Sequence, residues 1–331
     1  MLRTSRQRIV FVGGLHRSGT TLLAKLLTSH SEVGGFENAN VIENEGQFLQ
    51  SIMPLDPTFG GGGRFAFHPG FHRVDPTLTV ETIRQQLLAS WQPYWPADRR
   101  WVVEKTPGNL VRAAFLKKVF PDAAFVFITR HPVAVSLAIQ KWSHTGIFAL
   151  LMHWLTGHGY LQKNIRDGFE CVLLSYEDLV RKPEETLHLA WRHLGLTGEP
   201  LPERKIDDSN PQYLDRWKQY YCDEETLERR RECSSKKCVF NPLKTLIYKN
   251  KVALKRIALR AGFQVSITAN EVADSIAAFE SPVNSYGYSL LDLERYPISR
   301  IVSAANPSLY PAAKDAEIIE TLIRSRSGQG K

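Results

Sequence analysis

Four short apolar runs alternate with amphipathic stretches between Ile9 and Leu196. The runs are rich in β-branched and aromatic residues and end at turn or polar residues, so each one predicts a strand. They cover Ile9–Val12, Trp101–Val103, Ala123–Thr129 and Cys171–Tyr176. Strands that alternate with helices along the chain are typical of a parallel sheet with helices on both faces.

The stretches between these runs carry helical periodicity. Leucines at positions 22, 23, 26 and 27 predict a helix over Thr20–His30. Proline suits the first helical turn, which favours helices that begin near Pro132 and Pro183. The further predicted helices are Thr106–Phe120, Gly146–Leu155, Pro183–Gly195 and Ala269–Glu280. The segment Gly146–Leu155 is about half the ~20 residues that a membrane span needs, so we interpret it as a buried helix.

The chain is long enough for one large domain. We predict a single domain over residues 1–296, with its core at 9–196 and a mainly helical, basic extension at 197–290. Residues 297–331 are predicted to form a weakly packed or disordered tail. The long irregular stretch Gly34–Pro76 is glycine-rich between Phe59 and Gly70. A loop of that length is usually a lid or a binding segment.

The net charge of +8 is concentrated in one block, where residues 229–260 hold eleven Lys or Arg and one acid. The block is interpreted as a solvated helical face, with contact to an anionic membrane surface, nucleic acid or an acidic partner as alternatives. Four cysteines are too few for a disulfide framework, and Cys222, Cys233 and Cys238 lack the paired spacing of a zinc site. With no signal peptide visible, we expect a cytoplasmic protein. No acidic strand end resembles a magnesium ligand, so we also expect no metal.

The segment "GLHRSGTTLL" follows the first predicted strand and opens the first helix. Gly14 and Gly19 have the spacing of a phosphate-binding loop, but Thr20 stands where such loops carry lysine. Backbone N–H groups at a helix N-terminus favour anions, and Arg17 adds a positive charge from within the loop. The residues expected to bind the anion are Gly14, His16, Arg17, Ser18, Gly19, Thr20 and Thr21.

Four motifs occur in the order found in the sulfotransferase family. "GLHRSGTTLL" resembles the family's 5′-phosphosulfate loop, and "EKTPGNL" (Glu104–Leu110) resembles the lysine-containing strand end of its bacterial and protein-tyrosine branches. "FVFITRHPVAVSLA" (Phe125–Ala138) is similar to its 3′-phosphate motif, and "YEDLVRKPEETLHLAWRHLGL" is similar to the segment that follows. The late "YGYSL" (Tyr286–Leu290) fits the closing motif. A P-loop NTPase-like fold is the expected architecture.

The resemblance implies transfer of a sulfuryl group from 3′-phosphoadenosine 5′-phosphosulfate (PAPS) to a hydroxyl or amine, without a metal. Arg130 is expected to hold the 3′-phosphate and Tyr176 the adenosine. Lys105 and Arg17 are expected to stabilise charge at the reacting group. The acceptor stays open among a glycan, a peptide tyrosine, a lipid and a small metabolite, and so does the oligomeric state.

Two parts of the site depart from the family pattern. The family has a phosphate-binding serine eight residues after the motif arginine, where this chain has Ala138; Ser136 and Lys141 are the candidates instead. For the general base we predict Glu37, which lies where the branch with the closest motifs carries a glutamate. The alternatives are Glu43, Glu45, His16, His68 and His72.

Two other functions are compatible with the same strand, loop and helix. A kinase-like phosphotransferase predicts tight binding of ATP with magnesium, against which the absent lysine argues. A non-enzymatic protein that binds a nucleotide or polyanion through residues 229–260 is the third possibility, although a nucleic acid partner is not expected. Binding of adenosine 3′,5′-bisphosphate or of ATP discriminates among them.

Overall fold

The computed structural model describes residues 7–143, 145–201, 206–221 and 269–303. These ranges comprise the sheet, the helices packed on it and part of the extension. The predictions for the basic block at 229–260, for Cys222, Cys233 and Cys238, and for the tail after residue 303 lie outside the described residues.

A six-stranded sheet forms the centre of the fold, in the order β2-β3-β1-β4-β5-β6. The strands are β1 Arg8–Gly13, β2 Val33–Gly34, β3 Trp101–Lys105, β4 Ala124–Thr129, β5 Cys171–Ser175 and β6 Arg300–Val302. Strands β1 to β5 are parallel, and β6 pairs antiparallel with β5. The predicted α/β class with a P-loop NTPase-like parallel sheet is confirmed, and the four predicted strands agree with β1, β3, β4 and β5 to within two residues.

The far edge of the sheet corrects the sequence-based boundary of the tail. Residues 300–302 fall in the stretch predicted to be weakly packed, yet they pair with β5, and Val302 is fully buried. The prediction is wrong for these three residues because one buried side chain in an edge strand leaves almost no pattern in the sequence.

Helices flank the sheet, and several bounds differ from those predicted. They are α1 Thr20–Leu27, α2 Val80–Trp91, α3 Asn109–Val119, α4 Pro132–Gln140, α5 Ile147–Arg166, α6 Tyr176–Arg181, α7 Pro183–His193, α8 Pro211–Tyr221 and α9 Ala269–Asn284. The helix predicted over Gly146–Leu155 continues to Arg166, whereas the one predicted from Thr106 begins at Asn109. No helix in the described part of the chain is both long and apolar enough to cross a membrane.

Two hydrophobic layers enclose the sheet, as the fully apolar strands predicted. In β1, Phe11 points to the layer that contains α2, α3, α4 and α5, while Val10 and Val12 point to the layer of α1, α6 and α7. Burial of each large side chain in these layers contributes roughly 1.5–3 kcal/mol. The rigid sheet therefore fixes the carboxyl ends of β1, β3, β4 and β5 at one edge, where ligands of such sheets bind.

Residues 35–79, between β2 and α2, lie over this edge of the sheet, and we call them the cover. It contains five short 3-10 turns, at Ile42–Asn44, Gly46–Leu49, Asp56–Phe59, Phe65–Phe67 and Pro69–His72. Arg112 of α3 anchors it, because the buried guanidinium donates to the carbonyl oxygens of Pro54 and Phe71. The irregular stretch is thus packed against the core at defined points.

Candidate active site

The glycine loop joins β1 to α1, and the Ser18 hydroxyl within it has no acceptor among the described residues. Arg17 is exposed and has a left-handed backbone (φ 68°), which is uncommon for a residue with a side chain and recurs at functional sites. The Ser18 hydroxyl is buried and has no hydrogen-bond partner among the described residues. Helix α1 begins at Thr20 without a capping side chain or an acidic residue in its first turn. Such an uncapped helix N-terminus favours an anion.

The two loop glycines are required by close packing. A Cβ at Gly14 would lie 2.5 Å from the carbonyl oxygen of Ile128, and the Gly14 N–H already donates to Pro107 at 3.3 Å. Gly14 therefore seats the loop against β4 rather than offering its N–H to a ligand. Gly19 has φ 103°, and a Cβ there would lie 3.0 Å from the ring of Tyr176. Thr20 is buried, and its methyl group lies over Gly14.

Lys105 ends β3 beside this loop and is only 4% exposed. Its Nζ donates to the main-chain oxygen of Glu43 at 2.6 Å, to Glu45 Oε1 at 3.1 Å and to Thr21 Oγ1 at 3.3 Å. The ammonium is therefore held by the loop on one side and by the 43–45 turn on the other. This geometry places a buried positive charge at the start of α1.

The three candidate carboxylates, Glu37, Glu43 and Glu45, lie in different environments. Glu45 is buried and uses both oxygens, since Oε2 accepts from Gln47 Nε2 at 2.6 Å while Oε1 faces Lys105. The exposed side chain of Glu43 accepts from Thr21 Oγ1 at 3.2 Å. Glu37 is exposed, and its backbone N–H donates to Tyr94. Glu45, not Glu37, is the carboxylate beside Lys105, and a catalytic role for Glu37 stays a prediction.

Arg130 follows β4 and lies on the opposite side of the loop. Its guanidinium donates to Asn210 Oδ1 at 2.7 Å, to the main-chain oxygen of Arg17 at 2.9 Å and to Ser209 Oγ at 2.9 Å. It also stacks 4.1 Å from the ring centre of Tyr176. Burial lowers the pKa of Arg130 from its ordinary value. Tyr176, predicted to end a strand, is the first residue of α6.

Glu177 connects the surroundings of Arg130 to the late "YGYSL" motif. The buried carboxylate accepts from the His131 N–H at 3.0 Å, from Asn210 Nδ2 at 2.8 Å and from the Tyr288 hydroxyl at 3.1 Å. Burial raises the pKa of Glu177. Tyr288 of the late "YGYSL" motif therefore binds the same carboxylate as Asn210, the residue beside Arg130.

The sequence does not predict that Ser209, Asn210 and Glu177 surround Arg130. Ser209 and Asn210 are about 80 residues from Arg130 and carry no local signal. Glu177 stands in the quoted "YEDL" segment, where a carboxylate in the first turn of a helix was the available clue.

The two candidates for the missing serine differ in environment. The Ser136 hydroxyl is buried in α4 without a hydrogen-bond partner among the described residues. Lys141 is exposed and lies 4.7 Å from the ring centre of Tyr213, whose hydroxyl is 3.4 Å from Nζ. Within the described part of the chain, the Ser136 hydroxyl therefore lacks a partner, and the charge of Lys141 is accessible to solvent.

The glycine-rich part of the irregular stretch lies over His16. A Cβ at Gly62 would lie 3.2 Å from the His16 side chain, and Gly60, Gly61 and Gly63 have left-handed backbones. His16 Nε2 is 2.5 Å from Asp56 Oδ2. The loop and the cover thus meet at His16.

The other two histidine candidates stand within the cover itself. His68 accepts from the Gly70 N–H, and His72 packs on Tyr160. Burial lowers the pKa of His72 to about 4. No described contact joins either of them to the glycine loop or to Lys105.

The fold and the site together define an α/β protein with a glycine loop between two buried cations, Lys105 and Arg130. Comparison with known proteins narrows this class. The model of the sulfotransferase family matches residues 9–200, more than half of the chain. The chain belongs to the sulfotransferase family, which confirms the resemblance in its motifs.

Relatives found by sequence include protein-tyrosine sulfotransferases of animals. Protein-tyrosine sulfotransferase 2 of Gallus gallus is 23% identical over 199 residues, which cover 57% of this chain and 51% of that protein. The enzyme of Drosophila melanogaster is 26% identical over 188 residues, covering 54% of this chain and 36% of that protein. The chain spans about half the length, or less, of these curated relatives.

Solved sulfotransferase structures are also similar to the chain. That of Alicyclobacillus acidocaldarius has a TM-score of 0.40 and 12% identity, covering 65% of this chain and 92% of that one. That of a sulfotransferase of Mycobacterium tuberculosis has a TM-score of 0.38 and 19% identity, covering 58% and 68%.

Proposed function

We propose that this protein transfers the sulfuryl group of PAPS to a hydroxyl or amine acceptor. The observation that carries the proposal is the position of two buried cations around the glycine loop: Lys105 contacts Thr21, and Arg130 contacts the carbonyl of Arg17. A donor with an anionic group at each end of a nucleoside needs positive charge at two separate places.

The hydroxyls without partners support the fit of this donor. Ser18, in the loop expected to bind the 5′ end, and Ser136, on the helix after Arg130, are both buried with no hydrogen-bond partner among the described residues. A buried hydroxyl without a partner costs roughly 1–3 kcal/mol, so a ligand that supplies acceptors at both positions is favoured. Arg130 and Tyr176 would hold the 3′-phosphate and the adenosine.

The chain's own residues supply the electrostatics of transfer. When bound, the donor supplies the sulfuryl group and a bisphosphate leaving group, on which negative charge develops. Lys105 and Arg17 would stabilise that charge, and Lys105 is already oriented by three acceptors, so little reorganisation is needed. Glu45 would position Lys105 through the ion pair between them.

The proposal is tested first by binding. We expect adenosine 3′,5′-bisphosphate to bind more tightly than ATP with magnesium in calorimetry, and Arg130→Ala to weaken that binding about 10- to 100-fold, as expected for loss of charged hydrogen bonds. Arg181→Ala, which removes an exposed arginine paired with Glu294, is the control and should bind normally. Equal binding by wild type and Arg130→Ala would contradict the assignment of the 3′ end.

Turnover tests the second cation. Lys105→Met should lower the release of adenosine 3′,5′-bisphosphate from PAPS by about 100- to 1,000-fold while bisphosphate binding stays within about threefold. Because the change leaves Glu45 without its ion pair, the double variant Lys105→Met/Glu45→Gln controls for loss of folding. Normal turnover in both the Lys105 and the Arg130 variants would remove the proposed activity.

A further inference from the structure

His16 and Asp56 form a pair at the junction of the glycine loop and its cover. Their side chains approach to 2.5 Å between Nε2 and Oδ2, with His16 25% exposed and Asp56 3% exposed. His16 directly precedes Arg17, so it lies on the loop that is expected to hold the reacting end of the donor. The sequence predicts His16 as an anion-binding residue and as an alternative base, and it does not point to Asp56.

A chain of hydrogen bonds joins this pair to Lys105. The Asp56 N–H donates to Gln47 Oε1 at 3.1 Å, and Gln47 Nε2 donates to Glu45 Oε2 at 2.6 Å. Glu45 Oε1 in turn accepts from Lys105 Nζ at 3.1 Å. Hydrogen bonds through Asp56, Gln47 and Glu45 therefore connect His16 to Lys105.

The aspartate determines which nitrogen of His16 is basic. A carboxylate accepts a hydrogen bond, so Asp56 selects the neutral tautomer with its proton on Nε2. Nδ1 then carries the free lone pair. No hydrogen bond from a described residue reaches Nδ1 of His16, and the side chain retains access to solvent.

We propose that His16, oriented by Asp56, is the proton acceptor for the incoming hydroxyl. This inference rests on the sulfuryl transfer proposed above. As the acceptor oxygen forms its bond to sulfur, its proton passes to Nδ1 of His16. The bond between sulfur and the phosphate oxygen of the donor breaks, and that oxygen keeps the electron pair, so the products are the sulfated acceptor, adenosine 3′,5′-bisphosphate and a protonated His16.

The surroundings of His16 favour this role over that of the carboxylates. Glu45 is engaged by donors at both oxygens, whereas Asp56 stabilises the imidazolium that forms. Among the described residues, Asp56 and His153 of α5 are the titratable groups recorded beside His16, and Arg17 is its neighbour in sequence. Burial lowers the pKa of His153 to about 3, with a smaller contribution from His16, so His153 stays neutral beside it.

The tautomer is tested without any reaction. In ¹⁵N-histidine-labelled protein, we expect the His16 signal, assigned by its loss in His16→Gln, to show a protonated Nε2 and an unprotonated Nδ1. Asp56→Ala, checked for folding by its melting temperature, should abolish that preference. A proton on Nδ1 in the wild type, or an unchanged tautomer in Asp56→Ala, would overturn the inference.

Turnover measurements distinguish a His16 that accepts a proton from a His16 that only holds the loop in place. His16→Gln keeps a terminal N–H that can reach Asp56 but has no basic nitrogen. Release of adenosine 3′,5′-bisphosphate from PAPS is measured with 4-methylphenol, with 4-nitrophenol and with water alone as acceptors. At mildly alkaline pH, 4-nitrophenol is already ionised and needs no base, whereas 4-methylphenol, similar to the tyrosine side chain with a pKa of about 10, does need one.

We expect His16→Gln to lower turnover about 100-fold with 4-methylphenol or water and much less with 4-nitrophenol. Equal losses with both phenols would mean that His16 only supports the loop, and undiminished turnover would exclude it as the base. Bisphosphate binding by calorimetry distinguishes failure of this inference from failure of the proposed function. A wild type that neither binds the bisphosphate nor cleaves PAPS contradicts the proposed function itself.

Discussion

Lys105 is a buried cation whose position depends on a few specific acceptors. A charge in the protein interior is tolerated when its partners satisfy it, and removal of one partner is commonly more costly than the pair itself is stabilising. The main-chain oxygen of Glu43 reaches Lys105 because Glu43 and Asn44 have left-handed backbones, with φ values of 51° and 53°. Two residues with unfavourable backbone angles are thus retained where they orient a candidate catalytic group.

Glu45→Gln tests this arrangement. The change keeps an oxygen near Lys105 but removes the negative charge, so we expect the free energy of unfolding to fall by about 1–3 kcal/mol. The site becomes more positive, and adenosine 3′,5′-bisphosphate should therefore bind somewhat more tightly, by no more than the roughly threefold change allowed for Lys105→Met. Urea denaturation and calorimetry measure the two effects.

Glu43→Gln is the matched control, since the Glu43 side chain is exposed while its main-chain oxygen, which contacts Lys105, is unchanged. Its stability should stay within about 0.5 kcal/mol of wild type. Weaker bisphosphate binding in Glu45→Gln than in Glu43→Gln would contradict an electrostatic coupling between Glu45 and the anion site.

At the scale of elements, the cover between β2 and α2 depends on its glycines for two different reasons. Gly61 has φ 63° and open space around its Cβ position, so a side chain there meets only backbone strain. Gly62 has an ordinary backbone, but a Cβ would lie 3.2–3.3 Å from three atoms of His16. A side chain at position 61 is therefore expected to affect stability, and a side chain at position 62 is expected to affect the position of His16.

Alanine at each position separates these effects. Gly61→Ala should destabilise the protein by about 1 kcal/mol, the cost of a left-handed residue with a side chain, with little change in turnover. Gly62→Ala should displace His16 and lower PAPS turnover while the melting temperature stays close to that of wild type. The reverse pattern, with turnover lost only in Gly61→Ala, would mean that the cover does not act through His16.

Elements with an uninterrupted apolar pattern were predictable from sequence, and the irregular ones were not. Strand β4 is apolar at nearly every position, so its bounds were found to within one residue. Helix α2 was missed although Thr79 caps it and its buried Ile83, Leu87 and Trp91 have helical spacing. It follows a stretch of glycine and proline that obscured its start.

The residues of the site also fall into a predictable group and an unpredictable one. Lys105, Arg130 and the glycine loop could be placed from sequence because each begins within two residues of the end of a predicted strand, and parallel strands end at one edge. The Asp56–His16 pair joins residues that are 40 positions apart, and Asn210 reaches Arg130 across 80. No local pattern specifies the path of the chain between such partners, so only the folded structure reveals them.

At the scale of the whole molecule, buried titratable groups of opposite sign determine how stability depends on pH. Burial lowers the pKa of His131 and His153 to about 3 and that of His158 to about 4. Burial also raises the pKa of Glu104 to about 7, although Thr106 and Asn109 donate to its carboxylate. These groups lie in the layer beside the site, so protonation there affects the whole fold.

The histidines and the glutamate act in opposite directions. Below pH 6.5 the unfolded chain binds protons at the three histidines that the folded protein does not, so stability is lost as the pH falls toward their folded values. Between pH 4.5 and about 7 the folded protein instead holds a proton on Glu104 that the unfolded chain releases, so this group lowers stability as the pH rises.

Two substitutions isolate these contributions in urea denaturation at about pH 5 and about pH 7. One pKa unit corresponds to about 1.4 kcal/mol, so His153→Gln should reduce the gain in stability from pH 5 to pH 7 by on the order of 2 kcal/mol relative to wild type. Glu104→Gln, which mimics the protonated carboxyl, should increase that gain by a similar amount. The exposed His188→Gln is the control. Because the two variants must shift the pH dependence in opposite directions, a shift of the same sign in both would show that general loss of packing, rather than proton linkage, governs their stability.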